Sequence, residues 1–177
     1  YFEQVEALIE GGVDLILIET VFDVLNAKAA IAATLDAFEK SGVELPLMLS
    51  VTFIQEGSDR TVFGQTVDAF WATIAHAKPF SVGINCGLGA KSMVGNLTEL
   101  SRLANTHTHC YPNAGLPNPL APTGFDETPE ITSAEIRGLA EKGLVNIVGG
   151  CCGTTPDHIR AIAETVEGIQ PRTVDGG

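Results

Sequence analysis

The chain is short of basic residues: 10 Lys and Arg face 22 Asp and Glu, for a formal net charge of -12. That shortage excludes the basic footprint of a nucleic-acid binder and gives an anionic membrane nothing to attract, so the expected partner is a small soluble substrate. Long apolar runs are missing too. Charge or glycine interrupts each hydrophobic stretch before it reaches membrane-spanning length, and Tyr1-Phe2-Glu3-Gln4-Val5-Glu6 lacks the basic start and apolar middle of a signal peptide. Cysteine is scarce: four in 177 residues, two of them adjacent, which is not a disulfide framework. Reduced thiols and no export signal imply a cytoplasmic protein. Nucleotide loops are absent as well. Gly87-Leu88-Gly89-Ala90-Lys91-Ser92 imitates one, but Ala90 replaces the glycine before the lysine and Asn85 stands where the first glycine belongs.

What the chain does have is 45% hydrophobic residues, enough for a substantial core in one domain, expected over 1–172 with 173–177 starting a linker or tail. A short β-branched run, a turn residue and an amphipathic helical stretch recur along it, which reads as a series of βα units. Strands are expected at Asp14–Ile18, Leu47–Thr52, Phe80–Ile84, His109–Tyr111 and Leu144–Val148. Helices are expected at Val24–Lys40, Val67–Ala77, Ser92–Asn105, Ser133–Lys142 and Pro156–Gly168, after an opening helix at Tyr1–Glu10. Asp23, Thr66, Thr132 or Ser133, and Thr155 before Pro156 supply cap chemistry. The strands are continuous apolar runs, which implies a parallel sheet covered on both faces. Chemically capable residues (Glu19, Asn85, Cys86, Asn113, Cys151, Cys152) all follow strand ends, as at the C-terminal rim of a (β/α)8 TIM barrel. About five βα units are visible, so the expectation is the C-terminal part of such a barrel, with an open sheet edge and poor stability in isolation.

Two cysteine turns carry the strongest chemical signal. Cys151 and Cys152 lie in Gly149-Gly150-Cys151-Cys152-Gly153-Thr154-Thr155-Pro156, and Cys86 lies in Gly83-Ile84-Asn85-Cys86-Gly87. A disulfide between sequence neighbours closes a strained ring, whereas glycine-flanked neighbours can both turn their thiolates onto one metal. Three thiolates make a zinc site with a free fourth position. Zinc there acts as a Lewis acid on an entering thiol, and an all-sulfur set leaves that thiol more nucleophilic than oxygen ligands would. Taken singly, a cysteine after a strand is more often buried packing, and Cys110, inside its strand, is read that way, with a closed four-cysteine structural zinc as the alternative. Glu19 reads equally as an exposed rim acid or a binding carboxylate. Asn85 either orients substrate or satisfies its turn. His158 is expected to be solvated or to stand behind the metal ligands, and His76, His107 and His109 have no metal-type spacing. The loop Pro112–Pro129 is long enough to cover the rim or to form a subunit contact.

Asp14-Leu15-Ile16-Leu17-Ile18-Glu19-Thr20, Gly83–Gly87, Tyr111-Pro112-Asn113-Ala114-Gly115-Leu116-Pro117-Asn118 and Gly149–Ile159 together resemble the homocysteine S-methyltransferase family. The resemblance covers nearly the whole chain. It implies a (β/α)8 barrel, zinc on Cys86, Cys151 and Cys152, homocysteine as the substrate whose thiol is activated, and Glu19 as the carboxylate that receives its ammonium group. Tyr111–Asn118 and Asp126-Glu127-Thr128-Pro129 resemble the cobalamin-dependent methionine synthase branch more than the betaine-dependent one. That branch implies methylcobalamin and methyltetrahydrofolate, bound by cobalamin and folate domains elsewhere in the full-length protein. A betaine or sulfonium donor is the alternative. The family's first strand, with its Asp-Gly motif, has no counterpart here, and about three strands of the eight are lacking.

Overall fold

The structure is a computed structural model that describes residues 1–174, so residues 175–177 of the expected tail lie outside the described residues. After helix α1 (Phe2–Glu10), strands and helices alternate: β1 (Ile16–Val21), α2 (Val24–Ser41), β2 (Leu47–Val51), α3 (Val67–Ile74), β3 (Ser81–Asn85), α4 (Ala90–Leu103), β4 (His107–Tyr111), α5 (Pro129–Glu141), β5 (Ile147–Val148) and α6 (Pro156–Val166). All strand pairs are parallel, and the sheet order is β1-β2-β3-β4-β5. An open doubly wound sheet reverses its strand order at a switch point, whereas a barrel keeps chain order throughout. Each helix also packs on the next one in sequence, which puts them on one side of the sheet. The chain is therefore a run of sequential βα units with the layout of a partial TIM barrel.

Two faces of the sheet have different chemistry because side chains alternate along each strand. Toward the helices, Ile16, Leu49, Val51, Val82, Ile84 and Cys110 bury against residues such as Ile31, Phe70, Met93, Leu97 and Ile136. On the concave face Met48 is buried beside four polar residues, Ser50, Ser81, Asn85 and His109. They pair among themselves, with Ser81 Oγ 2.6 Å from His109 Nδ1 and Ser50 Oγ donating to Asn85 Oδ1. Gly83 lies under the His109 ring, where a Cβ would come within 2.2 Å of it. At the opposite end of the strands, the Arg172 guanidinium donates to the carbonyls of Ser101, Ala104 and Thr106, which ties the last described turn to the underside of β4.

Several expected boundaries move. The fifth helix begins at Pro129, behind Thr128, and not at Thr132 or Ser133, because the proline's fixed φ suits a first helical position. Thr132 then donates inward to Glu127 Oε2 at 2.8 Å. β5 shrinks to Ile147–Val148: Leu144 and Val145 face the core, and Asn146 caps β4 by accepting the Thr108 amide at 2.9 Å. β1 runs on past Ile18 to Val21 through an irregular register, so Glu19 and Thr20 sit within the strand. Asp23 caps α2 as expected, accepting from Leu25 N at 2.9 Å.

Candidate metal centre

Cys86 leaves the end of β3 in the left-handed region (φ 62), followed by Gly87 at φ 78. A non-glycine residue is rarely held there, and here two backbone bonds hold it: Cys86 N donates to Tyr111 O, and Leu88 N donates to Cys86 O. Gly87 has to be glycine on contact grounds as well, since a Cβ would lie 2.3 Å from Phe53 O. The second turn follows β5. Cys151 N donates to Pro112 O at 2.7 Å, Cys152 N donates to Asn113 Oδ1 at 3.1 Å, and Ala114 N donates back to Cys152 O at 2.9 Å. Gly153 (φ 78) rests against the Phe125 ring. The loop between Pro112 and Pro129 thus folds onto the cysteine turn and braces it, with Leu120 at its exposed tip.

These turns bring the three expected sulfurs together. Cys86 Sγ is 3.7 Å from Cys152 Sγ, Cys151 Sγ is 3.9 Å from Cys152 Sγ, and all three lie within 4.8 Å of one another. Tetrahedral zinc with bonds of about 2.3 Å needs sulfur–sulfur edges of about 3.8 Å. The cysteine triangle therefore fits the metal. Burial and the neighbouring Cys86 and Cys152 push the Cys151 thiol up to about 12, and burial with Cys86 raises Cys152 as well. Three thiolates this close need a cation to balance them. Cys110 lies apart, buried on the helix side and donating to Met93 Sδ at 3.7 Å.

Asn85 is buried beneath the cluster, and its amide is fully engaged. Oδ1 accepts from Thr20 N at 2.9 Å and from Ser50 Oγ, while Nδ2 donates to Thr20 Oγ1 at 2.8 Å and lies 4.0 Å from Cys151 Sγ. Thr20 has a positive φ of 61, so Asn85 reaches across β2 to hold a strained residue beside Glu19. Among the described residues, two of the three non-glycine residues with positive φ, Thr20 and Cys86, therefore flank this one amide. Glu19 itself is exposed. Ile16 and Ile18 pack toward the helices, which leaves Leu17 and Glu19 on the concave side.

His158 departs from expectation. It is buried, not solvated: Nδ1 accepts from Thr155 N at 3.2 Å, and Nε2 donates to Glu127 O at 3.2 Å. It closes the cap of α6 and ties that helix to the bracing loop. Its position as the third helical residue after Thr155 was the available signal, because a histidine there can replace the glutamate of a capping box. Tyr111 was also missed. It ends β4 on the concave face, between the strands that carry the cysteines, and it stacks on His109 at 4.8 Å.

Sequential parallel βα units with a thiol cluster at the strand C-termini place the chain among enzymes that build their sites on a barrel rim. The model of the homocysteine S-methyltransferase family matches residues 1–166, and the chain belongs to that family. Solved structures of the homocysteine methyltransferase MmuM from Escherichia coli share the fold. The apo form is 19% identical with a TM-score of 0.62, covering 93% of this chain and 57% of that one. The oxidized form is 20% identical with a TM-score of 0.63, covering 92% and 52%. The metallated form is 23% identical with a TM-score of 0.59, covering 93% and 52%. The chain spans about half the length of the solved structures it matches.

Proposed function

We propose that the chain is the zinc-bearing part of a homocysteine S-methyltransferase that makes methionine. The observation that carries this reading is the sulfur triangle of Cys86, Cys151 and Cys152, whose edges suit tetrahedral thiolate coordination. Bound zinc would supply Lewis acidity that keeps the homocysteine sulfur ionised at neutral pH, where a free thiol of pKa about 8.5 is mostly protonated. The chain's own residues do the rest. The cysteine turns present sulfur alone, with no carboxylate in the group, which preserves the nucleophilicity of an incoming thiol. Glu19 takes the ammonium end of the substrate. Asn85 serves the substrate through its neighbours, holding Thr20 beside Glu19 and approaching the Cys151 sulfur.

The methyl donor we assign is methylcobalamin, with methyltetrahydrofolate, both bound by cobalamin and folate domains of the full-length protein. The likeness of Tyr111–Asn118 and Asp126–Pro129 to the cobalamin-dependent branch supports it. Residues 1–172 we assign to the homocysteine-binding barrel, which further strands close along the free edge of β1. There a cleft of about 740 Å³ lies open, lined by Ile18, Glu19, Phe22, Leu25 and Phe63 among others. Four free cysteines fit a cytoplasmic location. The deciding experiment measures zinc per chain, and proton release on adding homocysteine, in the full-length protein. One zinc and a released proton are expected. Zinc without any response to homocysteine would mean a structural metal, and absence of zinc would overturn the reading. Methyl transfer from betaine or a sulfonium, but not from methylcobalamin, would reassign the donor.

A further inference from the structure

Asn85 ends β3, the central strand of the sheet, and its buried amide reaches two strands in each direction. On one side it meets Thr20 in β1, and on the other Cys151 in the turn after β5. Neighbouring strands lie about 4.8 Å apart, so a flat sheet would hold these partners beyond the reach of one short side chain. The curvature of the sheet brings them in.

Chemistry fixes the direction of this amide. Thr20 N can only donate, so the atom it meets at 2.9 Å has to be the oxygen, Oδ1, which also accepts from Ser50 Oγ. Nδ2 is thereby turned to Thr20 Oγ1 at 2.8 Å and to Cys151 Sγ at 4.0 Å. An amide has two acceptor positions and two donor hydrogens, and these four contacts use all of them. Whatever strands close the barrel therefore find no free position on Asn85. Among the described residues, no other side-chain nitrogen bonds one of the three sulfurs. The approach to sulfur is long, and a charged acceptor draws a donor closer than a neutral one does. A thiolate that shares its charge with an N–H gives less of it to a metal. Three thiolates on zinc already carry negative charge in excess, which works against taking up a fourth.

We propose that the Asn85 amide donates to the Cys151 sulfur and weakens it as a metal ligand, which keeps bound zinc acidic enough to accept a thiol in the fourth position. Asn85 is a positioning residue of the metal centre and does not touch the substrate. The proposal deepens the homocysteine reading above and rests on it for the identity of the thiol.

The test replaces zinc by cobalt(II) in the full-length protein, prepared free of cobalamin, and reads the sulfur-to-cobalt charge-transfer band. Asn85→Asp keeps an oxygen facing Thr20 N and Ser50 Oγ, and the Thr20 hydroxyl can turn to donate to the second oxygen. A metal-bound thiolate has no proton to give, so only the contact to Cys151 is lost. Asn85→Ala loses that contact without adding charge, and Thr20→Ala keeps it. Both Asn85 variants are expected to move the band to longer wavelength, because no donor then holds the sulfur electrons, and Thr20→Ala to leave it in place. Uptake of 2-mercaptoethanol, a thiol without the amino acid groups, should weaken about ten- to a hundredfold in both Asn85 variants, the range for losing an outer partner of a metal ligand. Thr20→Ala should take it up like the parent. A shift in Asn85→Asp alone would be an effect of its charge, and an equal shift in all three variants a loosening of the turn. Either overturns the proposal, as does a band that stays with the parent's, or failure of both Asn85 variants to bind cobalt. A parent whose spectrum responds to 2-mercaptoethanol but not to homocysteine would overturn the homocysteine reading alone.

Discussion

At the scale of the residue, the four cysteines divide by the face they occupy. Cys86, Cys151 and Cys152 converge above the concave face, while Cys110 points into the helix layer against Met93. Cys151→Ala is expected to abolish stoichiometric zinc, and Cys110→Ala to retain it; metal analysis of the two purified variants checks this, and zinc in the Cys151 variant would remove that ligand. His109 makes a different kind of prediction. Burial pulls it down to about 3 from an ordinary value near 6.5, so the folded protein keeps it neutral where an unfolded chain would protonate it. Below about pH 6.5 the unfolded state binds a proton that the folded state does not, and stability therefore falls as pH falls toward 3. The loss attributable to His109 is about 2–3 kcal/mol at pH 4.5. Urea unfolding at pH 7 and pH 4.5 should show a shallower acid loss in His109→Gln than in the parent.

At the scale of the element, the bracing loop and α6 act together. Asn113 and Ala114 bond the Cys152 backbone from one end of the loop, and Glu127 at the other end is bonded by His158. Removing the imidazole leaves Thr155 N and Glu127 O without these partners inside the protein. His158→Ala should cost about 1–2 kcal/mol, toward the lower end of the penalty for stranding polar groups, because Thr155 and Glu127 are half-buried. It should also raise proteolytic cleavage between Pro112 and Pro129, and a cleavage pattern equal to the parent's would show that the loop is held by its Asn113 end alone. Which parts of these elements were legible follows from the range of the forces involved. Asp23, Thr155 and Pro156 act on the next few residues, and their helices start where local cap chemistry puts them. Thr132 looked like a cap, yet its hydroxyl was taken by Glu127, five residues earlier, once Pro129 had already begun the helix.

At the scale of the whole molecule, the sheet has two free edges among the described residues, one along β1 and one along β5. Unpaired parallel strands with apolar side chains are prone to pair with other chains. Leu15 and Leu25, both exposed near the β1 edge, add to that tendency. Residues 1–177 expressed alone are expected to self-associate and to unfold at a lower urea concentration than the full-length protein. Analytical ultracentrifugation and parallel unfolding curves check this, and a stable monomer would show that the five-strand sheet suffices. No helix among the described residues is long and apolar enough to cross a membrane.

The pattern of apolar runs and turn residues determined by itself the alternation of strands and helices, and the two glycine-flanked cysteine turns announced the metal-type chemistry. Both are local signals: hydrophobic period and backbone freedom act within a few residues of where they are written. The grouping of Cys86 with Cys151 and Cys152, and the setting apart of Cys110, could be read from the turns, but the distances between the sulfurs come from tertiary structure, with β4 lying between their strands. Tertiary structure also decided that Asn85 spends its amide on Thr20, 65 residues away, and that His158 is buried. A side chain's partners across a sheet are set by register and curvature, and neither is written in the residues next to it.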